Sequence, residues 1–420
     1  MASFSFRAGN ARKIARLPLY ALGRLVTAVV PRGERWVFGC GAGIGDGPLE
    51  VWRVAHAHGH DAMWLTDDPA EQAEARRLGI PTKAKSSLAG FWATARAGVI
   101  VVAYGLGDVN PYALSGRVVI AQLWHGIPLK RIGLDAPETL RSPVPFATDL
   151  VSRALGILYR MSNRRIDVLP AASHLVRARL ETAFGVPDDR IVVTGEPRVD
   201  VLSRGTAEER RRDARGLLQR LIPDLSDSSA LILYAPTWRD GDADPAVPSD
   251  DDWRAIDEVL RRRDAVLLVR SHRLGAGEYA PPADVTRVRE LGADVLGDIT
   301  PALSGLDALV TDYSSLAYDT ALVPLPVLYL APDVAEYSRR RGFYGAYRDI
   351  AGDDAASTWG ELVPQLDALL GDPEVVAHRT ERARRVSDHV HAFRDGRAAQ
   401  RVYAVISARA SASPRRKASR

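Results

Sequence analysis

From Trp36 to Ala331, short apolar runs alternate with longer amphipathic ones, and this alternation limits the folds open to the chain more than any other feature. "RWVFGCG", "DAMWLTDD", "AGVIVVAYG" and "GRVVIAQLWHG" read as buried strands. "PLEVWRVAHAHG" and "PAEQAEARRLG" read as helices stopped by Gly59 and Gly79. "RIDVLPAAS", "SHLVRARLETAFG" and "DRIVVTGEPRVDVL" continue the pattern. Ser203 to Ser229, charged and then polar, predict a helix and a linker. A second series follows: "ALILYAPTW", "DWRAIDEVLRRR", "AVLLVRSH", "ADVLGD", "ITPALSGL", "ALVTDYSS", "LAYDTALV", "PVLYLAP", with closing helices from about Gly360 to Ala410. Such strand–helix repeats build an α/β protein whose parallel sheets are covered on both faces.

A chain of 420 residues exceeds what one core usually serves. The expectation is two Rossmann-like, doubly wound domains facing a cleft, the glycosyltransferase-B layout. The boundaries read as 1–34 for an N-terminal amphipathic segment, 35–205 for the first domain and 206–385 for the second, then a closing helix over 386–410 and a disordered basic tail over 411–420. Ligands of open α/β sheets collect at the carboxyl ends of the strands, and there the unusual residues fall.

Arg7, Arg12, Lys13 and Arg16 precede "LPLYALGRLVTAVV", in which Leu19, Leu22, Val26 and Val29 share one helical face. The run is too short to span a bilayer and Arg24 interrupts it. The pattern suits an interfacial helix on an anionic membrane, and equally a helix docked on its own domain.

Composition excludes some classes. The single cysteine, Cys40, rules out an internal disulfide framework and a multi-cysteine zinc site, and fits a reducing compartment. A net charge of +4 without a basic stripe does not argue for nucleic acid. Only five basic residues are lysines, Lys130 among them. His56, His58 and His60, like His378, His389 and His391, read as surface histidines. The Gly-rich "GCGAGIGDGP" lacks dinucleotide-binding spacing and reads as a tight loop facing the cleft.

Four strand ends carry chemistry suited to phosphate. "DALVTDYSSLAYD" runs from a strand through Asp312, Tyr313, Ser314 and Ser315 into a helix holding Asp319; a helix start with small hydroxyl residues offers N–H and O–H donors to an anion. "LVRSHR" delivers Arg270 and His272, "YAPTWRD" delivers Thr237 and Arg239, and "TGEPRVD" places Arg198 in a turn. In "AQLWHGIPLKRIGLD", His125 ends a buried strand with Gly126 leaving space beside it, so its imidazole can take a proton from an attacking hydroxyl.

Together these segments resemble the CDP-glycerol glycerophosphotransferases of wall teichoic acid synthesis: "QLWHGIPLKRIGLD", "VTGEPRVDVL", "LILYAPTWRD", "LLVRSHR", "LVTDYSSLAYD", "PVLYLAPDVAEYSRRRGFYGAY" and "HAFRDGRAAQRV" stand in family order. The resemblance implies a glycosyltransferase-B fold, a peripheral place on the cytoplasmic membrane face, and transfer of glycerol phosphate from CDP-glycerol to a polyprenyl diphosphate-linked acceptor with release of CMP. It implies that His125 and His272 are the two histidines linked to catalysis and that "TDYSS" meets the donor diphosphate. Ile127, Arg273 and Val199 stand where the family usually has threonine, proline and asparagine. Alternatives are a ribitol-phosphate or capsule-polymer transferase, a nucleotide-sugar glycosyltransferase, and a non-catalytic membrane-bound partner of an assembly complex. No tightly bound metal is expected, with Mg²⁺ at most travelling loosely with the diphosphate.

Overall fold

The computed structural model describes residues 17–114, 118–140, 148–237, 239, 244–271 and 279–412. The chain divides into two compact units that do not follow chain order. Unit 1 is Met1–His125, Ile132–Asp200 and Asp395–Arg420; unit 2 is Gly126–Arg131 and Val201–Arg394.

In unit 1, β1 (Trp36–Gly39), β2 (Ala62–Leu65), β3 (Thr82–Lys83), β4 (Val99–Val102) and β5 (Val119–Gln122) form a parallel sheet in the order β3-β2-β1-β4-β5. Successive residues feed opposite faces, as the pleat requires. Trp36, Phe38, Trp64, Val99, Val101 and Ala121 enter one core, with Val402 and Ile406 of the last helix. Val37, Met63, Leu65, Ile100, Val102 and Ile120 enter the other. A parallel pair, β6 (Leu169–Ala171) and β7 (Ile191–Val193), continues from β5 through an Ala121–Val168 bridge.

In unit 2, β8 (Ala230–Ala235), β9 (Ala265–Val269), β10 (Val288–Glu290), β11 (Ala308–Thr311) and β12 (Val327–Tyr329) are parallel in the order β10-β9-β8-β11-β12. Ile232, Tyr234, Leu267, Val269, Val310 and Leu328 pack on Trp253, Ile256 and Leu260 of the helix Asp250–Arg262, which a Ser249–Asp252 capping box starts. The strand beside β9 is the short edge "VRE", and "ADVLGD" after it forms turns rather than a strand.

The expected closing helix over 386–410 is two helices, Pro373–Val390 and Ala398–Ala412. They are broken at "HAFRDGR", where Gly396 has φ 66°. The second begins on Asp200, whose carboxylate accepts the Ala398 and Ala399 amides at 2.8 Å each. His391 is buried, not a surface histidine, its Nε2 2.9 Å from the Tyr318 carbonyl. His58 stacks on Tyr403, and His60 lies tilted against the same ring with its Nε2 2.9 Å from the hydroxyl. Ser411 and Ala412 continue the last helix, while 413–420 lie outside the described residues.

Helix Leu17–Val29 docks through its small face. A Cβ on Gly23 would stand 2.2 Å from the Tyr112 carbonyl oxygen, so the backbones meet there directly; Tyr20 packs on Tyr112 at 4.8 Å. The apolar face points outward: Leu19, Leu22, Leu25 and Val29 are 51%, 58%, 71% and 83% exposed. The basic residues Arg7 to Arg16 lie outside the described residues.

Candidate active site

In unit 1 the strand order reverses between β1 and β4, the place where such sheets open a ligand crevice. The Gly-rich loop after β1 leads into the helix Asp46–Ala57, with Asp46 at φ 57°. Arg198 reaches this loop, its Nε 3.4 Å from Asp46 Oδ1 and its Nη1 3.8 Å from Glu196 Oε2. After β4, the buried Asp108 carboxylate accepts the Ala103 and Tyr104 amides at 3.1 and 2.7 Å. Burial pushes Asp108 up to about 6, against the pull of those amides and Lys85.

After β5 the chain turns sharply. Trp124 has φ 63°, a left-handed conformation that costs a bulky residue of order 1–3 kcal/mol. Its ring is buried edge-on against Phe184 at 5.0 Å, which holds it there. The turn delivers His125 between two rings: Tyr104 lies parallel at 4.3 Å, and Trp124 is tilted at 4.0 Å. The imidazole is half-buried, its plane set by stacking. Gly126 follows at φ 130°, where a side chain would be strained.

Unit 2 reverses its order between β8 and β11. The Thr237 amide, after β8, donates to both oxygens of Asp312, after β11, at 3.0 and 3.1 Å. Arg239 Nη1 donates to Asp312 Oδ2 at 2.7 Å, and its Nε and Nη2 fork onto Asp333 at 3.0 and 3.1 Å. Burial pulls Arg239 down, but Asp312, Asp244 and Asp333 outweigh it and hold it above its ordinary value. Tyr313 is fully buried, donates to Asp333 Oδ1 at 2.8 Å and stacks on Tyr337 at 4.1 Å. Phe343 and Tyr347 complete an aromatic floor. Arg270, after β9, donates to the carbonyls of Leu291, Leu296 and Gly297 at 3.2, 2.7 and 3.0 Å.

The sequence matches the model of the CDP-glycerol:poly(glycerophosphate) glycerophosphotransferase family over residues 50–408. The chain belongs to this family. It is 30% identical over 305 residues to a teichoic acid glycerol-phosphate transferase of Staphylococcus aureus, covering 70% of this chain and 72% of that protein. It is 23% identical over 307 residues to a teichoic acid poly(ribitol-phosphate) polymerase of Bacillus spizizenii, covering 70% of this chain but 44% of that protein. The chain thus spans less than half the length of that polymerase. A solved structure of the wall teichoic acid polymerase TagF superposes with a TM-score of 0.76 at 20% identity, over 97% of this chain and 98% of that one. The fold is that of the glycosyltransferase-B group.

As a teichoic acid phosphotransferase-family enzyme, the chain sorts its candidate residues into two kinds. Thr237, Ser314 and Ser315 stay partly open at the β8/β11 reversal, and the Thr237 hydroxyl has no hydrogen-bond partner among the described residues. Arg239, Asp312 and Tyr313 are instead bound to one another or to Asp333, and Asp319 is buried at 1% exposure. The sequence offered Arg239 and Arg270 as phosphate contacts; the structure engages both in holding strand ends and loop. The helix after "TDYSS" is only Leu316–Thr320, too short for much dipole, so the hydroxyls are what the turn offers. His272 and Arg273 lie outside the described residues. Sequence reasoning missed Tyr104, Asp108, Asp333 and Lys130; of these only Lys130, a lysine in an arginine-rich chain, carried a signal. No group of His, Cys, Asp or Glu is arranged to hold a metal among the described residues.

Proposed function

We propose that the chain transfers a polyol phosphate, glycerol phosphate before ribitol phosphate, from a CDP-alditol to a polyprenyl diphosphate-linked acceptor of the teichoic acid type, releasing CMP. His125 accepts the proton of the attacking acceptor hydroxyl. The new bond joins that oxygen to the β-phosphorus, the bond from the β-phosphorus to the bridging oxygen breaks, and the electron pair stays on CMP. Thr237, Ser314 and Ser315 supply donors to the diphosphate, and His272 keeps the catalytic role its family resemblance implies. Such a transfer is chiefly positioning and electrostatics. Mg²⁺, where it takes part, enters with the diphosphate as part of the substrate.

The observation that carries this reading is the stacked, backbone-strained presentation of His125 within a family match covering both units. The glycerol preference is supported by the family's description and by the Staphylococcus aureus relative. The helix Leu17–Val29 supports action at a membrane surface, since it displays rather than buries its apolar face; the cytoplasmic face is what the family resemblance implies. No helix among the described residues is long and apolar enough to cross a membrane.

The test is CMP release from CDP-glycerol and CDP-ribitol against UDP release from UDP-sugars, with lipid acceptors. His125→Ala is expected to lose ~10²–10⁴-fold in transfer rate while retaining CMP affinity. Turnover of UDP-sugars alone, or a His125→Ala variant within a few-fold of the parent, overturns the reading.

A further inference from the structure

The segment after His125 belongs to unit 2 and is built into it as an added strand. Lys130 bridges antiparallel to Phe343, the Arg131 amide donates to the Gly342 carbonyl at 3.0 Å, and the Tyr344 amide donates to the Leu129 carbonyl at 3.0 Å. Lys130 is thereby held by its backbone on both sides, beside the aromatic floor under "TDYSS". Its ammonium stands 6.0 Å from the centroid of Tyr337, the ring that stacks on Tyr313.

Two arginines of unit 2 are already engaged: Arg239 by Asp312 and Asp333, and Arg270 by the carbonyls of Leu291, Gly292, Leu296 and Gly297. Lys130 differs. Among the described residues, no carboxylate or carbonyl takes its amine in an ion pair or hydrogen bond. Asp312 attracts the ammonium only from beyond contact distance, and burial still penalises its charge; an anionic ligand in direct contact offsets that penalty. An ammonium is a compact point charge suited to a phosphate oxygen, and here it stands in a chain that otherwise prefers arginine.

Resting on the phosphotransfer reading above, we infer that Lys130 is a diphosphate-binding residue whose ammonium contacts the donor's phosphate oxygens and balances the charge left on departing CMP. Lys130 keeps its proton throughout, the transferred proton going to His125. Burial lowers the amine to about 8, with Asp312 opposing and Arg341 and Arg239 adding to the fall; a bound diphosphate pulls it back toward the charged form.

Two measurements on the full chain test this, with inorganic pyrophosphate and CMP as probes so that the alditol need not be known. By calorimetry, Lys130→Met is expected to weaken both ~10–100-fold, the range of one charge-assisted contact. By mass spectrometry of the unmutated protein, pyrophosphate is expected to protect Lys130 from amine acylation while Lys83 and Lys85 label unchanged, which holds even where the variant fails to fold. Unaltered affinity in a folded variant, or equal labelling of Lys130 with and without pyrophosphate, overturns the assignment and leaves the ammonium packing on Tyr337 only. A parent that binds neither probe overturns it as well. Loss of pyrophosphate and CMP affinity in the variant, together with no turnover of any CDP-alditol by the parent, supports Lys130 and sinks the proposed donor instead.

Discussion

The ring of Tyr104 lies flat on the imidazole of His125, centroids 4.3 Å apart and planes within 5°. Tyr104 follows β4 and His125 follows β5, so the parallel register of two strands sets the stack. The stack fixes the imidazole plane and thus where its proton-accepting nitrogen points.

Removing that ring frees the histidine without touching its chemistry. A stacked pair is worth ~0.5–1.5 kcal/mol, so Tyr104→Ala is expected to lower kcat by ~2–10-fold, with Tyr104→Phe close to the parent. KM for the CDP-alditol should hold in both. An equal fall in the two variants would assign the effect to the hydroxyl rather than to the stack.

Asp108 ties the same loop to pH. Its folded value of about 6 lies above its ordinary 3.8, so the folded state binds the proton more tightly than the unfolded chain does. Stability from this group is therefore full below about 3.8 and is lost as pH rises toward about 6. Two units amount to roughly 3 kcal/mol. Asp108→Asn keeps an acceptor for the Tyr104 amide and removes the titration. The stability of the variant relative to the parent should rise by up to that amount between pH 4 and pH 7, any constant cost of the amide cancelling in the comparison. Parallel stability curves would refute the assignment.

Arg239 is expected to behave as a structural clasp. Its side chain is 5% exposed and that of Asp312 2%. Truncation leaves buried carboxylates without their cation, at a cost of ~3–5 kcal/mol. Lysine cannot reproduce the fork onto Asp333. Both Arg239→Ala and Arg239→Lys should speed hydrogen exchange at the β8 and β11 amides, with the β1 and β4 amides of unit 1 as internal reference. Unchanged exchange in unit 2 would return Arg239 to the role of ligand contact.

The N-terminal helix separates membrane affinity from stability. Leu22, Leu25 and Val29 are more than half exposed, so Leu22→Ser, Leu25→Ser and Val29→Ser together should leave thermal unfolding unchanged. Binding to anionic vesicles should fall at least ~10-fold, since each apolar side chain withdrawn from water contributes ~1.5–3 kcal/mol. Gly23→Leu should act differently, lowering stability by forcing the helix off Tyr112. Wild-type vesicle binding by the triple variant would move the membrane contact elsewhere, to Ile157, Leu158 and Met161, which are likewise exposed.

Much of this could be read along the chain. The runs "VIVV" and "LILYA" announced strands buried on both faces, because only a covered parallel sheet leaves no position for polar residues. Gly59 and Gly79 ended their helices, and His125 stood out by its place at a strand end between Trp124 and Gly126. These are local properties, determined by periodicity and by the backbone needs of single residues.

The task of each charged side chain was decided elsewhere. Arg239 and Asp333 are 94 residues apart, and they meet because β8 and β12 flank β11 in one sheet. The same juxtaposition buries Tyr313, draws Asp312 onto the Thr237 amide and leaves the Lys130 amine beside the Tyr337 ring. Asp200 likewise becomes the cap of a helix 198 residues later, returning the C-terminal segment to unit 1. A phosphate contact and an internal clasp can share one residue type and one place in a motif. The difference lies in whether an opposite charge arrives from a distant segment, and strand order in the sheet sets that, not spacing along the chain.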